Sequence, residues 1–118
     1  MLITTNENIK PCYLALQEWT KTEGYNIRVG EFGFFVVFGD PENEENIHIV
    51  EEYTGTSIMQ IPYDKLLYAS LENKTDRKRV LEFTASYVKE AIEHNENFKD
   101  DMINIKQQVT QLIGEMPS

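Results

Sequence analysis

Residues 39–55 read GDPENEENIHIVEEYTG and hold six carboxylates (Asp40, Glu42, Glu44, Glu45, Glu51, Glu52), one imidazole (His48) and no lysine or arginine. Carboxylates at that density suit a cation or a basic partner. Calcium is the first test. With Asp40 as position 1 of a helix-loop-helix calcium loop, Glu42, Glu44, Asn46, His48 and Glu51 fall at positions 3, 5, 7, 9 and 12. Position 6 must be glycine for the sharp turn, and Glu45 stands there. The flanks also read as strands where that loop needs helices, so the calcium reading fails.

Other chemistries find less. The nitrogen and sulfur ligands for a transition metal reduce to Cys12, His48 and His94, none at ligand spacing from another. No metal and no cofactor is expected. A nucleophilic Cys12 would need a histidine brought against an apolar stripe. No Gly-x-Ser-x-Gly elbow and no phosphate-binding glycine loop occurs. GEFG at 30–33 precedes a strand, so it reads as a turn and not as a phosphate cradle. Glu51 and Glu52 are neighbours in a strand, where successive side chains point to opposite faces, which is wrong for a shared acid/base pair. No catalytic residue is assigned, and a small enzyme ranks third among the readings.

Charge points to a protein partner. The net charge is −9. Between Arg28 and Lys65 stand eight carboxylates and no basic side chain. Such a surface repels a phosphate backbone, because nucleic-acid binding rests on cationic contacts and counterion release. Direct nucleic-acid binding is disfavoured and a basic protein surface is favoured. The basic run KTDRKR (74–79) sits at a helix start, where the macrodipole disfavours cations; a solvated charge cluster is the plainer reading than an anion site. His94, four residues after Glu90, suits a helix C-terminal contact.

The elements that would position these groups follow from periodicity. At 118 residues, with 41% hydrophobic and 26% charged residues, the chain is expected to form one α+β domain over 1–118. The lone Cys12 cannot form an internal disulfide, and no apolar run of membrane-spanning length appears, so a cytoplasmic protein without membrane attachment is expected. Asn8 as cap, Pro11 in the first turn, Gly24 as stop and the spacing of Ile9, Cys12, Tyr13, Leu16 and Trp19 predict an N-terminal helix, with Cys12 buried in its stripe.

Residues 25–29, 34–38, 47–53 and 56–61 then predict a three- to four-stranded antiparallel β-meander, with FFVVF central or covered on both faces. Residues 62–71 predict a short helix, and a longer one runs from after Thr75 to His94. Asn95 and Asn97 mark a turn. Phe98, Met102, Ile105, Val109, Leu112 and Met116 recur at heptad spacing, which predicts a last helix packed antiparallel on the one before it through Val88 and Ile92, or a self-association seam. The order of a helix, a sheet and two or three helices resembles the small acidic chaperones of bacterial secretion systems at the level of layout.

Two functions are consistent with this reading. The first is a small acidic inhibitor, of the immunity or anti-defence kind. It would mimic DNA charge and set its carboxylates, Asp40, Glu42, Glu44, Glu45, Glu51 and Glu52, against the basic nucleic-acid-binding surface of a nuclease or regulator. The second is a homodimeric secretion-type chaperone or adaptor that uses the apolar stripe of Phe98, Met102, Ile105, Val109 and Leu112.

Overall fold

The computed structural model describes residues 2–38, 46–62 and 73–117. The predicted short helix at 62–71 lies outside the described residues, apart from Pro62. Among the described residues the architecture is α+β: one five-stranded antiparallel sheet followed by two helices. The strands are β1 (Ile3–Ala15), β2 (Trp19–Val29), β3 (Phe32–Phe38), β4 (Asn46–Glu51) and β5 (Ser57–Pro62), paired in chain order. The helices are α1 (Lys74–Glu93) and α2 (Phe98–Ile113). No helix among the described residues is long and apolar enough to cross a membrane.

The meander follows from alternation in the sequence. Ile27 and Val29 on β2, Phe34 and Val36 on β3, and Ile47 and Ile49 on β4 face one way and are buried with Leu81, Ala85, Val88 and Ile92 of α1 and Phe98 of α2. The β2–β3 turn is Gly30 and Glu31, closed by the Val29–Phe32 pair. Gly30 takes a positive φ of 61°, the glycine-first pattern of a II′ hairpin whose twist matches its strands. β3 is the middle strand, and Phe34, Val36 and Val37 on its two faces are all fully buried. At these three positions the apolar run is therefore covered on both sides, as its composition predicts.

The predicted N-terminal helix is a β-hairpin instead, so the sheet has five strands where three to four were expected. Its residues alternate with period two: Cys12 and Leu14 are buried, whereas Ile9, part of the expected helical stripe, is 51% exposed. Pro11 is tolerated because β1 is an edge strand. With the helix gone, the layout shared with secretion chaperones is absent too.

The hairpin does not lie flat. β1 advances four residues, Thr5 to Ile9, while β2 advances two, Ile27 to Tyr25, and β2 leaves its pairing with β3 beyond Tyr25. At that corner a Cβ on Gly24 would stand 2.9 Å from the Val36 carbonyl, so only glycine admits the approach. The outer half of the hairpin folds over the far face of the sheet, where Cys12 and Leu14 close a second core on Val37 and Val50. Its tip reaches the β4–β5 turn, and the Ala15 N–H donates to the Gly55 carbonyl at 2.8 Å. The central strands thus lie between helices on one side and strand on the other.

α1 is amphipathic, with Leu81, Thr84, Ala85, Val88 and Ile92 buried at spacings of three and four. Asp76 in its first turn and the Asn73 carbonyl, which accepts from the amides of Asp76 and Arg77, settle its start. α2 begins beyond an Asn95 turn in which Oδ1 accepts from the Asn97 N–H at 3.0 Å. It does not lie antiparallel on α1 as its heptad spacing predicts. Val88 and Ile92 are committed to the sheet, Phe98 fills a slot beside Phe32 and Phe34, and α2 runs toward Trp19, whose Nε1–H donates to the Gly114 carbonyl at 3.1 Å. α1 thus supplies the main helical cover of the sheet, and α2 is anchored to it through Phe98.

Candidate functional site

The acidic stretch divides by what its carboxylates already do. Asp40, Glu42, Glu44 and Glu45 lie outside the described residues. Glu51, the last residue of β4, is only 3% exposed. Its Oε2 accepts from the amides of Thr54 at 2.7 Å and Tyr53 at 3.0 Å, so the side chain closes the β4–β5 turn. The turn is completed by the Gly55 N–H donating to the Glu51 carbonyl at 3.0 Å, with Gly55 at a φ of 65°. Glu52 points to the opposite face, as the strand pleat predicts. There the Nη1 of Arg28 donates to its Oε1 at 3.2 Å and its Oε2 at 3.4 Å. Gly33 makes the room, since a Cβ there would overlap the Glu52 carboxylate. Glu51, which ends β4, and Glu52, the first residue of the turn beyond it, are both engaged within the fold.

The remaining titratable candidates are also accounted for locally. Cys12 is 6% exposed, and burial, reinforced by the charge of Glu23, pushes its thiol up to about 11. A thiol so held is protonated at neutral pH and is a poor nucleophile. His48 is buried in β4 with Nδ1 2.9 Å from the Ser57 hydroxyl. His94 uses Nδ1 to donate to the Glu90 carbonyl at 2.9 Å, the helix-end contact its position suggests. In the basic run, Arg77 sits 5.3 Å from the Tyr25 ring centroid and donates to the Glu7 carbonyl at 3.4 Å. Among the described residues no three His, Cys, Asp or Glu side chains are grouped to hold a metal.

The apolar stripe of α2 is unevenly covered. Phe98 is buried; Met102, Ile105, Val109 and Met116 are half-buried; Leu112 is 82% exposed. Cavities flank the helix on both sides. One, of about 300 Å³, lies between α2 and the end of β3 and β4, walled by Phe32, Tyr53, Met102 and Ile103 with Glu31, Lys99 and Lys106. It adjoins a second of about 320 Å³ lined by Trp19, Val109 and Met116, and Tyr53 and Lys106 belong to both. The third, of about 570 Å³, separates Ile105 and Gln108 from Ser57, Ile58 and Met59 of β5. Tyr53, Lys106 and Ile103 were not singled out by sequence reasoning. Tyr53 ends the alternating strand pattern, which marks a large side chain on the helix-facing side beyond the last ladder pair. Ile103 falls outside the heptad stripe, the one signal that it has no core position. Comparison with known protein families, curated proteins and solved structures finds no match to this chain.

Proposed function

We propose that the chain is a small non-enzymatic protein-binding regulator, an inhibitor that presents carboxylates to the basic, nucleic-acid-binding surface of a partner protein. One observation carries this reading: the segment from Glu31 to Asp64 holds eight carboxylates and no lysine or arginine, in a chain of net charge −9. Arg28, the nearest cation before it, is already paired with Glu52. Glu51 is consumed by its own turn, so the contact falls on Asp40, Glu42, Glu44 and Glu45. Charge of one sign at that density raises the association rate with an oppositely charged surface and confers strong salt dependence.

The test replaces Glu42, Glu44 and Glu45 together by lysine. Affinity capture from host extract at low and high salt identifies the partner, and competition with nucleic acid for that partner checks the mode. The triple variant should bind more weakly and with a flatter salt dependence. Equal affinity and equal salt slope refute the proposal, as does a partner whose nucleic-acid binding is unaffected.

A second reading rests on Leu112. A leucine 82% exposed on a helix with Phe98 as its one buried residue suits a homodimer or an apolar client. Leu112→Asp should then abolish self-association or client binding without unfolding the chain, and a monomer by sedimentation at high concentration excludes the homodimer.

A further inference from the structure

The slot between α2 and the end of the central strands combines size, apolar walls and charge in a way that selects a ligand. Its walls are Phe32, Tyr53, Met102 and Ile103, with Tyr53 61% and Ile103 48% exposed. A dry cavity of roughly 150 Å³ accommodates benzene. At about 300 Å³ this slot takes a body twice that size, at the lower end of the volumes that hold small ligands.

Charge then chooses the head group and its orientation. In a chain of net charge −9, the slot is lined by two ammonium groups, Lys99 and Lys106, and two carboxylates, Glu31 and Glu51. Lys99 Nζ is 3.4 Å from Glu31 Oε1. The Lys106 ammonium lies 5.7 Å from the Tyr53 ring centroid, and no carboxylate pairs with it among the described residues. Glu51, also in the lining, is 3% exposed, with its Oε2 held by two backbone amides. Lys106 is the lining charge that no opposite charge engages among the described residues, so an amphipathic anion sets its head there and lays its apolar end against the walls. A cationic head would find both lining carboxylates already engaged, Glu31 by Lys99 and Glu51 by two amides.

We infer that this slot is a binding site for a small amphipathic anion, a carboxylate of decanoate's size. Its chain lies against Phe32, Met102 and Ile103, and its head rests on Lys106. This stands independently of the acidic-contact reading, since it uses neither residues 40–45 nor a protein partner. Trp19, the one tryptophan, lines the adjoining cavity across the Tyr53–Lys106 partition and serves as the reporter.

The experiment titrates the full chain with decanoate, decanol and decylammonium below their micelle concentrations, read by Trp19 fluorescence and calorimetry. Decanoate should bind saturably at one site, more tightly than decanol, and decanol more tightly than decylammonium. Lys106→Glu should weaken decanoate about fivefold, the effect of reversing one exposed charge, and leave decanol unchanged. Ile103→Glu, on an exposed helical position, should weaken both decanoate and decanol, with circular dichroism verifying the fold. Absence of saturable binding, equal affinity for decanoate and decanol, preference for decylammonium, or a Lys106→Glu variant that binds decanoate as before would each overturn the inference.

Discussion

Glu51 allows a quantitative test of whether an acidic side chain in this region serves the fold. Replacing it by alanine removes one acceptor and strands two amide donors. The two are not equivalent. Thr54 is 1% exposed and its amide lies 2.7 Å from Glu51 Oε2, so its N–H would be left in a dry site at about 2 kcal/mol. Tyr53 is 61% exposed and its amide can recruit water, so its loss costs about 1 kcal/mol or less. Glu51→Ala should therefore cost about 3 kcal/mol. Glu51→Gln keeps a carbonyl acceptor in place and loses only charge assistance, about 1 kcal/mol. With an unfolding entropy near 2.1 cal/mol/K per residue, a chain of 118 residues shifts its Tm by about 4 °C per kcal/mol. The expected drops are about 12 °C for alanine and about 4 °C for glutamine, measured by thermal melts in circular dichroism and checked by urea titration. If both variants melt within about 2 °C of the parent, the carboxylate does not hold the turn, and Glu51 returns to the set of side chains free to meet a partner.

Glycine replacements should separate two kinds of close approach. Gly55→Ala forces a side chain onto a φ of 65° and to 2.6 Å from the Trp19 ring, so it should cost about 3 kcal/mol; Gly33→Ala displaces only the flexible Glu52 carboxylate from Arg28 and should cost about 1 kcal/mol, both read from chemical denaturation. Cys12 gives a pH dependence. Its thiol titrates near 11 in the folded chain against 9.0 ordinarily, so stability is fully present below pH 9 and falls as pH rises to 11. The loss is about 2 to 3 kcal/mol, and Cys12→Ala should lack it when the two proteins are melted side by side. At pH 8 the same thiol should react with iodoacetamide about a hundredfold more slowly in the native chain than in urea. Finally, α2 is held at its two ends: Phe98→Ala should cost about 3 kcal/mol, whereas Trp19→Phe, which loses one hydrogen bond to Gly114, should cost about 1 kcal/mol and raise amide exchange in the last turn of α2 alone.

The slot beside α2 and the acidic segment make different demands on the fold. A run of like charge along the chain is reported directly by sequence composition. An apolar slot beside an ammonium that is unpaired among the described residues requires Phe32 from β3, Tyr53 from the β4–β5 turn and Lys106 from α2 to converge. No local spacing encodes that convergence, because the three residues lie on separate elements and meet only when α2 crosses the strand ends.

Much of the fold was legible in the chain alone. Residues 25–29, 34–38, 47–51 and 57–61 form strands because β-branched and aromatic residues alternate or run together there, and residues 74–93 and 98–113 form helices because their apolar positions recur every three or four. The opposite facing of Glu51 and Glu52 and the burial of Cys12 were also readable. The first depends on the period of two in an extended chain, the second on the apolar character of a small thiol. Residues 3–24 were not readable, because Ile9, Cys12, Tyr13, Leu16 and Trp19 fit a helical period while Cys12, Leu14 and Leu16 fit a strand period equally well. The deciding contacts are distant: Cys12 and Leu14 bury Val37 and Val50, and Ala15 bonds to Gly55. Only the tertiary structure could choose the strand, since the apolar face awaiting it is created by strands that follow later in the chain. The same holds for the heptad stripe of α2. The sequence determined that it would be an amphipathic helix; the sheet, already claiming Val88 and Ile92, determined that it would not pack on α1 and so left its flank open.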